Sequence, residues 1–305
     1  MRIMNRQELE QRGVWGGSID QLVRVGSLRR ISRGWYVWGE AGTPEEEHLL
    51  LTDIHRGRVL ALESAALVHG LPVAEVPEHV QGVEPGSGRA WLRDRLQLHT
   101  APLPDAHVAE VDGRRVTSPA RTVVDLARVR GIRDAVITWD AACRTVGSEG
   151  QDRWRVEVED ALDVLVKRRG IRSARELATF ASPLAESPME SVSRWMLHLS
   201  GFPRPVEQYV VRDQDGEAVA RVDFGWPEHG VVGEYDGEGK YFLDDDPEAA
   251  FMQEKWRQQR VEALGWEFAR WGKADVASVQ SLRASVQSAF MRAARRPAPL
   301  GLRAA

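Results

Sequence analysis

The chain has very little cysteine: Cys143 is the only one in 305 residues. One thiol cannot close an internal disulfide or build a thiolate zinc site, and such usage fits a reducing compartment, so a cytoplasmic location is the expectation. No apolar run is long enough to span a bilayer, and the first residues lack the apolar core of a signal peptide. The formal charge of −4 leaves no uniformly basic coat, so any surface for nucleic acid must be local. No glycine-rich phosphate loop is found, because Gly230, Gly233, Gly237 and Gly239 have neither Walker nor dinucleotide spacing. Ser187 and Ser191 have no nearby Ser/His/Asp pattern, which argues against nucleophilic hydrolase chemistry. His55, His69, His79, His99 and His107 lack metal-ligand spacing and read as core-edge or surface residues.

The most informative stretch is Arg221-Val222-Asp223-Phe224-Gly225-Trp226-Pro227 followed by Gly230-Val231-Val232-Gly233-Glu234-Tyr235-Asp236-Gly237. Two adjacent strands built this way bring Asp223, Glu234 and Asp236 to one end of a sheet. Carboxylates gathered there repel unless a cation neutralises them, and hard oxygen donors suit Mg²⁺ or Mn²⁺. Beside a nucleic-acid phosphate, such an ion points to phosphodiester hydrolysis. The plainer alternative is that acids at strand ends mark turns, and Asp236-Gly237 is also a hairpin signal.

The chain is long enough for two or three domains. Residues 5–38 read as a winged helix-turn-helix. Asn5 caps a helix through Gln11, and Ser18 with Gln21 starts a second through Val25, whose apolar face is Leu22, Val23 and Val25. Two β-rich runs, Leu28 to Ile31 and Trp35 to Trp38, surround a wing turn at Ser32-Arg33-Gly34. Residues 1–38 hold seven arginines against Glu8, Glu10 and Asp20. Arg24, Arg29, Arg30 and Arg33 are therefore the candidate nucleic-acid contacts, the alternatives being a solvated arginine face or a protein contact.

Helices are expected at 46–54, 60–69, from Ser118-Pro119 onward, and at 132–147, 154–169 and 173–181; strands are expected at 79–83 and 96–100. The helix over 154–169 is read as docking between domains. From Pro183 the order is helix 188–200, strands 206–213, 217–224 and 230–236, helix 247–264, strand 266–270 and helix 275–294, which implies a mixed sheet flanked by helices. The expected organisation is an α+β chain with a winged helix over 1–42, a middle α/β region over 43–182, a C-terminal αβββαβ domain over 183–294 and a structureless tail over 295–305. Asp244, Asp245 and Asp246 precede Pro247 and read as helix-start acids, with Asp246 the cap. Trp226, Trp256, Trp266 and Trp271 either stack bases or, more commonly for such residues, pack the sheet.

The segment from Glu190 to Val276 resembles the PD-(D/E)XK nuclease core, and more closely the actinobacterial relatives of the very-short-patch repair endonuclease. The residues that carry this are Glu190-Ser191, Pro205 with Gln208, Val222-Asp223-Phe224, Glu234-Tyr235-Asp236-Gly237, Lys240-Tyr241, Glu254-Lys255, Gly265-Trp266 and Arg270-Trp271. The resemblance implies a restriction-endonuclease-like fold in which Asp223 and Glu234 hold Mg²⁺ or Mn²⁺, with the Tyr235 carbonyl as a further oxygen and Glu190 reaching the ion directly or through water. It also implies a lysine two positions after Glu234, where this chain has Asp236. Asp236 would then act as base or second-metal ligand, and Lys240 or Lys255 would supply the missing ammonium, with Gln208 and Lys255 as auxiliary residues.

The N-terminal half is similar to the abortive-infection antitoxin (AbiEi-like) architecture. That likeness rests on Arg30-Ile31-Ser32-Arg33-Gly34-Trp35-Tyr36, on Ser64-Ala65-Ala66-Leu67-Val68-His69-Gly70-Leu71-Pro72 and on Thr117-Ser118-Pro119-Ala120-Arg121-Thr122-Val123-Val124-Asp125-Leu126-Ala127. Together the two likenesses imply a metal-dependent DNA endonuclease targeted by a winged helix, in phage defence. A non-catalytic DNA-binding regulator with an inactive nuclease fold stays open beside it. So does a module whose winged helix meets a protein, such as a toxin or other defence component. A homodimer is a further open partner, since cutting both strands favours two copies.

Overall fold

The computed structural model describes residues 2–86, 88, 90–237 and 247–300, with the helical backbone alone for 247–251. The chain is α+β, and its residues cluster into two units, Met1–Ala181 and Ser182–Ala305.

Unit 1 opens with β1 (Ile3–Asn5), α1 (Arg6–Gln11), α2 (Gly16–Arg24), β2 (Leu28–Ser32) and β3 (Trp35–Trp38). Asn5 starts α1 through a reciprocal capping box with Glu8, the side-chain bonds being 2.9 and 2.8 Å. β1, unforeseen from its three residues, completes a sheet ordered β1-β3-β2. Met4, Leu9, Ile19 and Leu28 form the core beneath it. α2 starts two residues before Ser18, with Trp15 at its N-cap. Ile19 and Leu22 face the core, whereas Val23 and Val25 are exposed. The expected apolar face was misplaced because positions 19 and 22, one turn apart, define the buried stripe.

The unit continues with α3 (Pro44–Thr52), β4 (Val59–Leu60), α4 (Leu62–Val68), β5 (Val80–Pro85), β6 (Trp91–Arg93), β7 (Leu96–Ala101), β8 (Val108–Val111), β9 (Arg114–Thr117), α5 (Pro119–Arg130), α6 (Ile132–Val146), α7 (Gln151–Val164) and α8 (Ile171–Phe180). The strands form one mixed sheet, ordered β6-β7-β5-β4-β9-β8. Ser118 caps α5 and Pro119 is its first residue, so the helix buries Val123, Val124, Leu126 and Ala127. α7 packs on α5, α6 and α8 within unit 1. It buries Trp154, Val158 and Leu162, and Val156 points outward. It is thus part of this unit's own core.

Unit 2 comprises α9 (Pro188–Leu199), β10 (Val206–Arg212), β11 (Ala218–Trp226), β12 (Val231–Tyr235), α10 (Pro247–Ala263), β13 (Glu267–Trp271) and α11 (Val279–Ala293). The sheet order is β10-β11-β12-β13. β10, β11 and β12 are antiparallel, and β12 to β13 is parallel because α10 makes the crossover. Val261 of α10 joins Val232, Val222, Trp266 and Phe268 in one core cluster. Around Trp271, Phe224 stacks on the ring and Ser193 of α9 accepts its indole N–H at 2.8 Å. Trp226, Trp266 and Trp271 are buried here, and Trp256 is exposed.

Residues 295–300, expected to lack structure, are instead held in place. Arg296 pairs with Glu267 at 2.7 Å, Pro299 is buried beside Gly230, and the Leu300 amide bonds the Leu264 carbonyl at 2.9 Å. These anchors are tertiary and leave no periodic signature. The rest of that expected tail, 301–305, lies outside the described residues, as do Lys240, Tyr241 and Asp244 to Asp246.

Candidate functional site

The strand register sets the site. Phe224 pairs with Gly233, so Asp223 and Glu234 stand opposite one another one step further along β11 and β12. Glu234 in turn pairs with Arg270 on β13. Asp223, Glu234 and Arg270 therefore form a row across three strands. Like charges facing each other across a strand pair are unfavourable, so this end of the sheet calls for cations.

Two guanidiniums answer it. Arg257 Nη2 donates to Glu234 Oε1 at 2.7 Å and to Glu254 Oε1 at 2.6 Å, and its Nε donates to Glu254 Oε2 at 2.7 Å. Arg270 Nη2 donates to Glu234 Oε2 at 3.2 Å and to Glu254 Oε1 at 2.7 Å. Burial pushes the Glu254 carboxyl up, but the hydrogen bonds and charges of Arg257 and Arg270 outweigh it and the net shift is downward. Arg257 is raised, first by its bond to Glu254, against the opposing effect of burial.

Asp223 Oδ2 accepts the Tyr235 amide at 2.9 Å, and the Asp236 amide bonds the Trp271 carbonyl at 2.9 Å. These bonds tie the acidic strand ends to their neighbours. Asp223, Glu234, Tyr235, Asp236, Glu254, Arg257 and Arg270 line one pocket of about 170 Å³. Four carboxylates face two guanidiniums, a formal balance of −2.

Glu190 is not part of that lining. It lies in the first turn of α9, where Ser187 caps its amide, and its Oε2 accepts the Glu186 amide and Gln208 Nε2, each at 2.9 Å. Gln208 has a φ of 50°, in the left-handed region, between paired neighbours that place it level with Asp223. It links Glu190 to the edge of the row. Lys255 is exposed and is not part of the lining either. Glu254 entered the sequence reading only through a resemblance, and Arg257 did not enter it at all. The available signal was helical: Glu254 and Arg257 are three apart and share a face, and Val261 four further on is buried. Nothing local to Arg270 announced that a parallel crossover sets it beside Glu234.

The donor set fits a divalent ion in chemistry but, among the described residues, is not gathered around one point. Carboxylates from neighbouring strands in a pocket of net negative charge match a hard cation in donor type and charge. Among the described residues, however, no three His, Cys, Asp or Glu side chains converge closely enough to hold a metal ion in this arrangement. Arg257 and Arg270 hold both oxygens of Glu234.

In unit 1, Arg24, Arg30 and Arg33 are exposed. Arg30 Nε makes a 3.4 Å contact with the Ser32 carbonyl. Arg29 differs: it grips Glu47 of α3 at 2.6 and 3.1 Å and bonds the Gly39 and Glu40 carbonyls, each at 3.0 Å. The bond to Glu47 raises Arg29, and in return lowers Glu47. Arg29 therefore joins β2 to α3, and the surface-facing arginines are the other three. Among the described residues, no helix is long and apolar enough to cross a membrane.

Fold and site thus define an α+β protein in two units, the second a mixed sheet between helices with an acid–arginine pocket at one end. The chain belongs to the same family as the uncharacterized proteins MT2308 and Rv2248 of Mycobacterium tuberculosis. Each is 32% identical over 251 residues, covering 81% of this chain and 86% of the relative. No protein-family model matches the chain. The crystal structure of the Rv2827c protein from M. tuberculosis is similar at 20% identity over 63% of this chain and 75% of its own, with a TM-score of 0.38, a likeness too loose to carry an argument.

Proposed function

We propose that this protein is a metal-dependent DNA endonuclease whose unit 2 is a PD-(D/E)XK-like domain and whose first 42 residues are a DNA-targeting winged helix. The observation that carries the reading is the row Asp223–Glu234–Arg270 at the end of a mixed sheet, in a pocket of net charge −2. Asp223 and Glu234 would hold Mg²⁺ or Mn²⁺, with Glu190 approaching through Gln208. The ion, when bound, supplies Lewis-acid polarisation of a phosphoryl oxygen and acidifies a water. The chain's own residues do the rest. Asp236, exposed at the pocket edge, would take a proton from the attacking water. Arg257 and Arg270 offer positive charge to the phosphate in place of the lysine that position 236 lacks. Arg24, Arg30 and Arg33 supply phosphate contacts on the winged helix, whose affinity falls as salt rises.

The test is nicking of supercoiled plasmid with Mg²⁺ or Mn²⁺, wild type beside Asp223→Ala. Metal-dependent nicking that the variant loses supports the endonuclease; no cleavage of plasmid, single-stranded or branched DNA by the wild type removes it. The second reading, a non-catalytic DNA-binding regulator, is favoured by the two guanidiniums on Glu234 and by Asp236 itself. It expects duplex binding that is lost in Arg30→Ala/Arg33→Ala and no cleavage under any metal. Duplex affinity unchanged in that double variant would instead point the winged helix at a protein partner.

A further inference from the structure

Arg257 and Arg270 cover both oxygens of Glu234, one of the two acids that the endonuclease reading assigns to the cation. Cation and guanidiniums compete for the same atoms. Yet the two arginines are not fully used by the carboxylates: Arg257 Nη1 and Arg270 Nε are buried with no hydrogen-bond partner among the described residues. A buried donor without an acceptor is costly, and more so on a charged group. A guanidinium has five N–H donors in a planar fork, suited to two oxygens of a carboxylate or a phosphate. The pocket they line, at about 170 Å³, exceeds several times the ~30 Å³ share of one water. It has room for an anionic phosphodiester group.

We propose that Arg257 and Arg270 are the phosphate-binding pair of this pocket, parked on Glu234 and Glu254 until a phosphodiester takes them and so leaves Glu234 open to a cation. This rests on the endonuclease reading and adds to it a coupling between the two ligands. Phosphate draws the guanidiniums from Glu234, and the carboxylate left behind favours a divalent ion. By linkage, the cation favours phosphate by the same factor. The pairing also offsets charge: Glu234 and Glu254 are neutralised by arginine and not left as facing anions.

The experiment uses the full-length chain with two probes, Mn²⁺ alone and dimethyl phosphate. Free Mn²⁺ is read by electron paramagnetic resonance, and dimethyl phosphate by ³¹P line broadening in EDTA. Thermal melts confirm that each variant is folded, and Arg257→Lys keeps a cation where Arg257→Ala removes it. The expectation is that Arg257→Ala binds Mn²⁺ about ten-fold more tightly than wild type, and that dimethyl phosphate tightens Mn²⁺ binding in wild type by a similar factor but not in Arg257→Ala. Dimethyl phosphate binding in EDTA should be lost in Arg257→Ala and in Arg270→Gln. Equal Mn²⁺ affinity in wild type and Arg257→Ala, or dimethyl phosphate that binds all proteins alike or none, overturns the proposal. Failure of the underlying reading looks different: Mn²⁺ affinity unchanged by Asp223→Ala, or no Mn²⁺ bound by any variant, removes the metal site. Arginine-dependent ³¹P broadening then still reports the phosphate pair.

Discussion

Asp125→Ala is the sharpest test of how unit 1 is held together. Asp125 is 3% exposed on α5 and accepts from two arginines: Arg121 Nε at 2.7 Å and Arg128 Nη2 at 3.0 Å. Arg121 is fully buried, and its Nη1 donates to His107 Nδ1 at 3.1 Å, while His107 Nε2 meets Asp160 at 2.7 Å. Arg121 Nη2 already has no partner among the described residues. At charge separations near 4 Å and an effective dielectric of about 20, the Coulomb attraction within one such pair is about 4 kcal/mol, before the opposing cost of desolvation. Truncating one member of a buried pair, with the other left uncompensated, costs about 3–5 kcal/mol. Asp125→Ala should therefore destabilise unit 1 by that amount. Arg121→Met/Asp125→Leu, which replaces the buried pair by apolar side chains and leaves the partly exposed Arg128 without its carboxylate, should recover part of the loss. With two units the global transition need not be two-state, so the assay is hydrogen exchange of peptides covering 119–130, which reports local opening energies. A loss below about 1 kcal/mol in Asp125→Ala, or a double variant as unstable as the two single losses added, would refute the reasoning.

Two further predictions concern other parts of the chain. A Cβ at Gly233 would lie 2.7 and 2.8 Å from Trp271 and 2.9 Å from Trp226, and both rings are buried. Gly233→Ala should cost about 1–3 kcal/mol by overpacking and lower the melting transition followed by tryptophan fluorescence; an unshifted transition would mean the rings yield freely. Burial holds His48, His55 and His99 below the ordinary 6.5. Their depressed native values mean that the unfolded chain binds protons first as pH falls, so their contribution is complete above pH 6.5 and shrinks below it. The urea midpoint should drop between pH 7.5 and about 5.5, before carboxylates titrate. A flat profile over that range would contradict the burial of these rings.

Unit 2 was legible almost element by element. Its strands are short apolar runs bounded by Asp215-Gly216 and Pro227 to Gly230, and its first helix carries a Ser187-Pro188 start, so period and punctuation agree. The facing of Asp223 and Glu234 followed from the short connection between two antiparallel strands. Unit 1 was harder. β1, β4, β6, β8 and β9 have two to four residues each, too few for a period to register. Ser18 followed by Gln21 matched a capping pattern, but α2 had already begun at Gly16. Arg29 and Arg30 are adjacent and alike in composition. Only the position of Glu47 turns one into a structural clamp and leaves the other at the surface.

What the sequence by itself determined is local: where apolar periodicity starts and stops, which residues cap, and which acids lie on neighbouring strands, because those depend on interactions within a few residues. The tertiary structure alone decided which charges meet. Glu234 finds Arg257 through a helix packing on its face and Arg270 through a parallel crossover, and Asp125 shares Arg121 with a histidine from another element. Such pairings join residues far apart in the chain, and their strength comes from burial that exists only once the layers have closed.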